Sequence, residues 1–408
     1  MDVAVTGPEK PTTEEPIQAG ALAGPESPRA GAVAGPPGPP PVEIGPVCSV
    51  CGFQAFPGEQ FCENCSAPLP GTEGADTASE AADAAPGGPT GRTTNTQPLD
   101  AGPLSTTCRN CSGTAFEDGY CTNCGAPAAR ERDHFQEQPA PWIAAVCDRG
   151  IRHHRNEDAM ALSALAEPDS RAVLVVCDGV SSSMDPDIAS LAAARAARDV
   201  LTIAEVSGPS VAGRINTWTD RLIEAAAAAN EQVIETYRNP TNRPGERENS
   251  PPSCTFVAAV VDGPVVVVGW VGDSRAYWLP DAGPAEMLST DDSWASEAIA
   301  AGMARVDAES APQAHSITRW MGVDSPDPVP HCIAITPAAP GWLLVCSDGL
   351  WNYCSPESDM GALVARMASA QAGDPLRTAG ALVDWANAEG GMDNITVALA
   401  RLDPPPVA

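Results

Sequence analysis

The chain has 408 residues, with 23 Lys and Arg against 53 Asp and Glu, a formal net charge of −30 and 43% hydrophobic residues. With Lys10 its single lysine, it lacks the clustered basic side chains that hold phosphate backbones, which excludes nucleic acid as a partner. No apolar run approaches the roughly 20 residues of a membrane span, and the N-terminus has neither the basic nor the apolar region of a signal peptide, so a soluble, cytoplasmic protein with no membrane partner is expected.

Abundant Ala, Gly, Pro and Arg beside one Lys suggests a GC-rich bacterial source. Residues 1–46 and 70–104 are rich in Pro, Gly, Ala, Thr and Glu, with almost no large apolar side chains. Such segments cannot bury enough surface to offset chain entropy, so a disordered tail and a disordered linker are expected. Two matching cysteine sets follow them: Cys48, Cys51, Cys62 and Cys65 within 47–69, and Cys108, Cys111, Cys121 and Cys124 within 105–127. Ten residues separate the knuckles in the first set and nine in the second. Four thiolates on two tight knuckles suit a closed tetrahedral zinc site, and metal binding folds segments too small to fold alone. The endings CENCSAPLP and CTNCGAPA mark an internal repeat that resembles zinc ribbons. Two structural zinc ions are therefore expected rather than a disulfide framework, since a chain with no secretion signal meets reducing conditions. Exposed thiolates oxidise, so a redox-switched zinc site is an alternative.

The polar stretch 128–140 reads as a linker and residues 141–403 as one large domain. Its scattered cysteines, Cys147, Cys177, Cys254, Cys332, Cys346 and Cys354, read as core residues. Residues 187–203 are Ala-rich and helical in pattern. In 214–236, Trp218, Leu222, Ala225, Ala229 and Val233 recur every three or four positions and form one apolar stripe. From Cys254 the sequence reads as an antiparallel meander: SCTFVAAVV, an Asp262-Gly263 turn, VVVVGWV, a Gly272-Asp273-Ser274 turn, then RAYWL. Asp374 and Pro375 start a last helix as N-cap and first-turn proline, and Gly390-Gly391 stop it. Paired helices around antiparallel strands predict an α+β sandwich.

Three apolar runs meet an isolated acid: VLVVCDG at Asp178, WLLVCSDG at Asp348 and MDNITVAL at Asp393. RNEDA adds Glu157 and Asp158. Short apolar runs bounded by Asp-Gly read as buried strands, so these carboxylates can converge on one end of a sheet. Convergent carboxylates on rigid strands are what hard divalent cations need.

The order of RNEDA at 155–159, VCDG at 176–179, CTF at 254–256, GDSRAY at 272–277, TDD at 290–292, ITRWMG at 317–322, CSDGLW at 346–351 and DNITV at 393–397 resembles that of the metal-dependent serine/threonine phosphatases, the protein phosphatase 2C or PPM family. It spans residues 142–402. The resemblance implies a four-layer αββα sandwich, two antiparallel sheets between helix pairs, with a two-metal centre at one end. It implies that Asp178, Asp348 and Asp393 bind Mn²⁺ or Mg²⁺ directly with the Gly179 carbonyl, and that Glu157 and Asp158 act mainly through metal-bound water. The resemblance also implies direct attack of a metal-bridging water on phosphoserine or phosphothreonine, in proteins phosphorylated by serine/threonine kinases.

Departures from the family pattern carry expectations of their own. Asp273 belongs to a weaker third-metal site, where Asn352 stands in place of a usual acid. His153 occupies the position of the family's phosphate-gripping arginine and is expected to take that role, with Arg152 and Arg155 beside it. Val180, at a position where some members carry a histidine, leaves the general acid open. His315 and His331 read as structural or surface residues, Trp320 and Trp351 as core aromatics, and Asp291 and Asp292 as either a solvated turn or part of a flap beside the site. The alternative function is a catalytically weak pseudophosphatase scaffold, with the ribbons recruiting partners. Retention of every core carboxylate favours the enzyme, because a scaffold has no reason to gather uncompensated charge.

Overall fold

Runs such as FVAAVVD and VVVVGWV bury every residue, which a strand can do only when other layers cover both of its faces. The computed structural model describes residues 107–404 apart from 109–110, 118–119, 125–127, 204–209 and 242–249. The first cysteine set and the expected tail and linker at 1–46 and 70–104 lie outside the described residues. In chain order the elements are β1 (Phe116–Glu117), β2 (Tyr120–Cys121), β3 (His134–Ala140), β4 (Ile143–Asp148), β5 (Ala159–Ala164), β6 (Arg171–Cys177), α1 (Pro186–Ile203), α2 (Val211–Arg238), β7 (Ser253–Cys254), β8 (Phe256–Asp262), β9 (Val265–Val271), β10 (Arg275–Pro280), β11 (Glu286–Met287), α3 (Trp294–Ala300), α4 (Arg305–Glu309), β12 (Met321–Gly322), β13 (His331–Ile335), β14 (Gly341–Cys346), α5 (Asp348–Trp351), α6 (Glu357–Ala370), α7 (Pro375–Glu389) and β15 (Ile395–Leu402).

Two large antiparallel sheets result, β13-β9-β8-β6-β5 and β11-β10-β14-β15-β4-β3, beside the two-stranded pairs β1-β2 and β12-β7. The period of two along each strand sorts side chains between cores. On β6, Leu174 and Val176 enter the core between the sheets, while Val173 and Val175 face the core under α1 and α2. On β15, Ala398 and Ala400 face between the sheets, and Val397 and Leu399 face α6 and α7. Three cores separate four layers, the αββα sandwich. Each large side chain buried outright, among them Trp218, Leu174 and Leu343, contributes about 1.5–3 kcal/mol.

The α2 stripe is buried at all five expected positions, and small Ala189, Ala193 and Ala197 let α1 pack closely beside it. Asp374 caps α7, its Oδ1 accepting from Arg377 N at 2.9 Å, with Pro375 in the first turn and Gly390 at the C-cap. Among the described residues no helix is long and apolar enough to cross a membrane.

Four sequence expectations need correction. The 128–140 stretch is no simple linker: β3 is the edge strand beside β4, Phe135 packs into the core between the sheets, and Glu137 accepts from Leu162 N on β5 at 2.7 Å. Its polar alternation and Pro139 are what an edge strand tolerates. The meander also breaks after β9. Both edges of β9 are taken, by β8 and β13, so the chain after Gly272-Asp273-Ser274 crosses to the other sheet, where β10 pairs with β14. Trp320 is only half-buried, its Nε1 donating to Asp324 at 3.0 Å. Finally, Cys332 is half-buried, whereas Cys147, Cys177, Cys254, Cys346 and Cys354 are core.

Because β3 completes the sheet, a fragment beginning at residue 141 is expected to melt at least about 5 °C below one beginning at residue 128. Equal melting temperatures by circular dichroism would show that the edge strand is dispensable.

Candidate active site

The acidic residues of the three apolar runs stand at the ends of strands from both sheets, not of one. Asp178 follows β6, Asp348 follows β14 after Ser347, and Asp393 precedes β15. With Asp273, between β9 and β10, they line one cleft of about 540 Å³, together with Gly179, Thr255, His315 and Asn352. The strands bring them there because each run is held in register by its neighbours up to its last apolar residue.

Each carboxylate is held by residues distant in sequence. Thr255 Oγ1 accepts from Asp178 N at 3.0 Å, and Thr255 N donates to Asp178 O at 2.7 Å. Asp158 is fully buried, and its Oδ2 accepts from Ser347 Oγ and Thr396 Oγ1, each at 2.7 Å. Glu157, also buried, accepts from Arg155 Nε at 2.7 Å and from Ser181 Oγ. Asn394, just before β15, ties its own loop to the β4–β5 loop at three points: its Oδ1 accepts from Glu157 N at 2.7 Å, and its Nδ2 donates to Arg149 O and Arg155 O. Both Asp-Gly pairs need their glycine. A Cβ on Gly179 would lie 2.7 Å from Pro186 O, and one on Gly349 only 2.0 Å from Asn394 O.

The protein does not satisfy this charge. Asp348 Oδ1 and Asp158 Oδ1 are buried without a hydrogen-bond partner. Burial and then the Asp393 charge push Asp348 up to about 7, against the opposing effects of His315 and the Asn352 amide, which donates at 3.0 Å. Burial raises Asp158 to about 6, although the Ser347 and Thr396 hydroxyls oppose it. Burial and the surrounding carboxylates hold Asp178 and Asp273 well above the carboxylate range, and Asp393 is raised by burial against His153. A cluster of oxygen donors that cannot ionise together, with buried oxygens left unpaired, fits hard divalent cations.

His153 lies behind this floor. It is buried, with Nε2 3.2 Å from Asp393 Oδ1 at an angle that makes no hydrogen bond and Nδ1 3.8 Å from Glu157 Oε2, and it does not line the cleft. Asp291 and Asp292 are not a solvated turn, and Asp291 lines a pocket next to the cleft with Asp273, His315 and Asn352. Arg275 clamps Asp291 at 2.6 and 2.8 Å, while Asp292 accepts from Gly272 N at 3.0 Å and pairs with Arg319 and His331. His331 is thus structural, as expected, but His315 lines the cleft. Trp351 is core, as expected.

Sequence reasoning left Ser347, Thr396 and Asn394 without roles. Their signal was faint: a hydroxyl or amide next to a named acid within CSDG or DNIT.

The second cysteine set is assembled. The thiols of Cys108, Cys111, Cys121 and Cys124 all lie within 4.8 Å of one another, the second knuckle carried by the β1-β2 hairpin. The Asn123 amide, donating to Cys111 Sγ at 3.3 Å, leads the hydrogen bonds that lower that thiol to about 6, toward the thiolate a metal requires. Among the described residues no other His, Cys, Asp and Glu ligand atoms gather so tightly. The carboxylates are spread along the cleft instead.

Residues 150–385 match the family model described as "Protein phosphatase 2C". The chain belongs to the protein phosphatase 2C family. It is similar to "Serine/threonine phosphatase stp" of Listeria monocytogenes serotype 4b (strain F2365), with 28% identity over 257 residues, 63% of this chain and 94% of that one. Among solved structures it is similar to the Mycobacterium tuberculosis serine/threonine phosphatase PstP/Ppp, with 25% identity and a TM-score of 0.50 over 64% of this chain and 98% of that one. It shares its fold with the S. agalactiae serine/threonine phosphatase, at 24% identity and a TM-score of 0.51, over 66% of this chain and all of that one. The phosphatase 2C match begins after β3, which nonetheless belongs to the same sheet.

Proposed function

We propose that this phosphatase 2C enzyme is metal-dependent and hydrolyses phosphoserine and phosphothreonine in proteins, acting opposite serine/threonine kinases in bacterial signalling. The observation that carries the reading is the carboxylate floor of the cleft, in which Asp348 Oδ1 is buried and unpaired. Asp178, Asp348 and Asp393, with the Gly179 carbonyl, would hold two Mg²⁺ or Mn²⁺ ions, Glu157 and Asp158 supporting them through water. When bound, such cations activate a water and neutralise phosphoryl oxygens.

The chain's own residues keep the donors aimed. Thr255 fixes the Asp178 backbone, Ser347 and Thr396 fix Asp158, and Asn394 locks the loop bearing Glu157. His153, 3.2 Å from Asp393 without a hydrogen bond to it, offsets part of that carboxylate's charge. The neutral Asn352 beside Asp348 lowers the charge available to a third ion at Asp273. No observation favours the scaffold, since the acids of the motif remain gathered and unneutralised.

The reading includes structural zinc on each cysteine set, with the ribbons as docking or regulatory modules, and a cytoplasmic location. The described cysteines form no disulfide, which fits a reducing compartment.

Purified protein is expected to release phosphate from a phosphothreonine peptide only with Mg²⁺ or Mn²⁺, and Asp178→Ala, Asp348→Ala or Asp393→Ala to lower turnover by about a hundredfold or more. Undiminished turnover after chelation, or in Asp348→Ala, would falsify this function. Elemental analysis of the full chain is expected to find about two zinc ions, and Cys108→Ser to lose one while hydrolysis of a small phosphoester persists. Protein free of zinc with its thiols reduced would rule out the ribbons.

A further inference from the structure

We propose that His315 is the side chain that binds the phosphoryl group of the substrate, an assignment that rests on the phosphatase reading above and deepens it. The need is for a donor. Ionised carboxylates of the floor can only accept hydrogen bonds, so phosphoryl oxygens turned toward the wall need a donor there. Among the described residues lining the cleft, His315 is the single basic side chain. The alternatives suggested by the sequence are placed elsewhere. His153 is buried between Asp393 and Glu157, Arg155 is engaged by Glu157, and exposed Arg152 does not line the cleft.

The position of His315 is built by its surroundings. The backbone on either side of it is tied to the start of α3: Trp294 N donates to Ser316 O at 2.9 Å, and Ala295 N to Ala314 O at 3.4 Å. Its ring lies 6.0 Å from that of Trp351, centroid to centroid. Trp351 is itself fixed, its Nε1 donating to Asp273 O at 3.0 Å and the Arg275 guanidinium lying 3.6 Å from the ring centroid. Arg275 in turn is clamped by Asp291. This succession holds an exposed imidazole at the cleft, near enough to Asp348 to favour that carboxylate's ionised form.

An imidazole donates at least one N–H in either protonation state. Toward a phosphoryl oxygen that hydrogen bond is charge-assisted. The same oxygens occur in the phosphoester substrate and in the inorganic phosphate product, so His315 should bind both.

The test uses the full-length protein with Mg²⁺. His315→Ala is expected to raise KM for a phosphothreonine peptide about tenfold, to leave kcat within about threefold and to weaken inhibition by inorganic phosphate about tenfold. His315→Gln keeps an N–H donor and should recover most of the affinity. The ring ¹⁵N resonances of His315, identified by their loss in His315→Ala, should move when inorganic phosphate is added to wild-type protein. If wild-type protein hydrolyses no phosphopeptide and this movement persists, the phosphate site stands and the phosphatase reading falls. Unchanged KM and phosphate inhibition in folded His315→Ala, a loss in kcat alone, or ring resonances indifferent to phosphate would overturn the assignment.

Discussion

Carboxylates crowded into one cleft cannot all ionise on the protein's own hydrogen bonds, and the rest of the structure is arranged around that constraint. Asp178, Asp273, Asp348 and Asp393 share the floor, with Asp158 buried beneath. Hydroxyls and amides answer only part of the charge, and oxygens of Asp158 and Asp348 stay unpaired. Without cations a cluster of this kind would cost stability, because buried like charges raise one another's proton affinity. The frame must therefore hold the acids apart as firmly as it holds them together.

The frame does so from two sheets. Strands buried on both faces cannot slip by one residue without turning core side chains toward the wrong layer, so the ends of β6, β14 and β15 are fixed in space. Further ties cross between distant segments. Arg132, just before β3, donates to Asn156 O and Asp158 O, both at 3.0 Å, and reaches Ser190 on α1. Asn394 spans from β15 to the Glu157 loop. The residues ahead of the family match thus help to set the RNEDA segment.

Much of this is legible in one dimension. Apolar runs ending in Asp-Gly announce buried strands with an acid at the rim, and the spacing of Trp218 to Val233 announces the face that α2 buries. What stays hidden depends on partners far along the chain. β3 looks like a linker because an edge strand with Pro139 carries few apolar residues, and its pairing with β4 has no local sign. The Gly272-Asp273-Ser274 bend looks like a hairpin because nothing nearby shows that β13, some 60 residues on, takes the free edge of β9. For Asp291 and Asp292 a solvated turn stays open beside the flap reading until Arg275, Arg319 and His331 are placed beside them. His315 carries no motif, and the fold alone brings it to the cleft.

The central claim is that the carboxylate floor is completed by divalent cations. Folded-state values of about 6 for Asp158 and about 7 for Asp348, above the ordinary 3.8, mean that the metal-free native state binds more protons than the unfolded chain. The stability they contribute is complete below about pH 4 and is lost as pH rises through about 6 to 7. The direct measurement is the melting temperature of chelator-stripped protein from pH 5 to pH 8, with and without Mg²⁺. The account predicts a fall toward pH 8 without the cation, a larger gain from Mg²⁺ at pH 8 than at pH 5, and a flatter profile in Asp348→Asn. A melting temperature that holds or rises toward pH 8 in the stripped protein, or a Mg²⁺ gain no larger there than at pH 5, would contradict it.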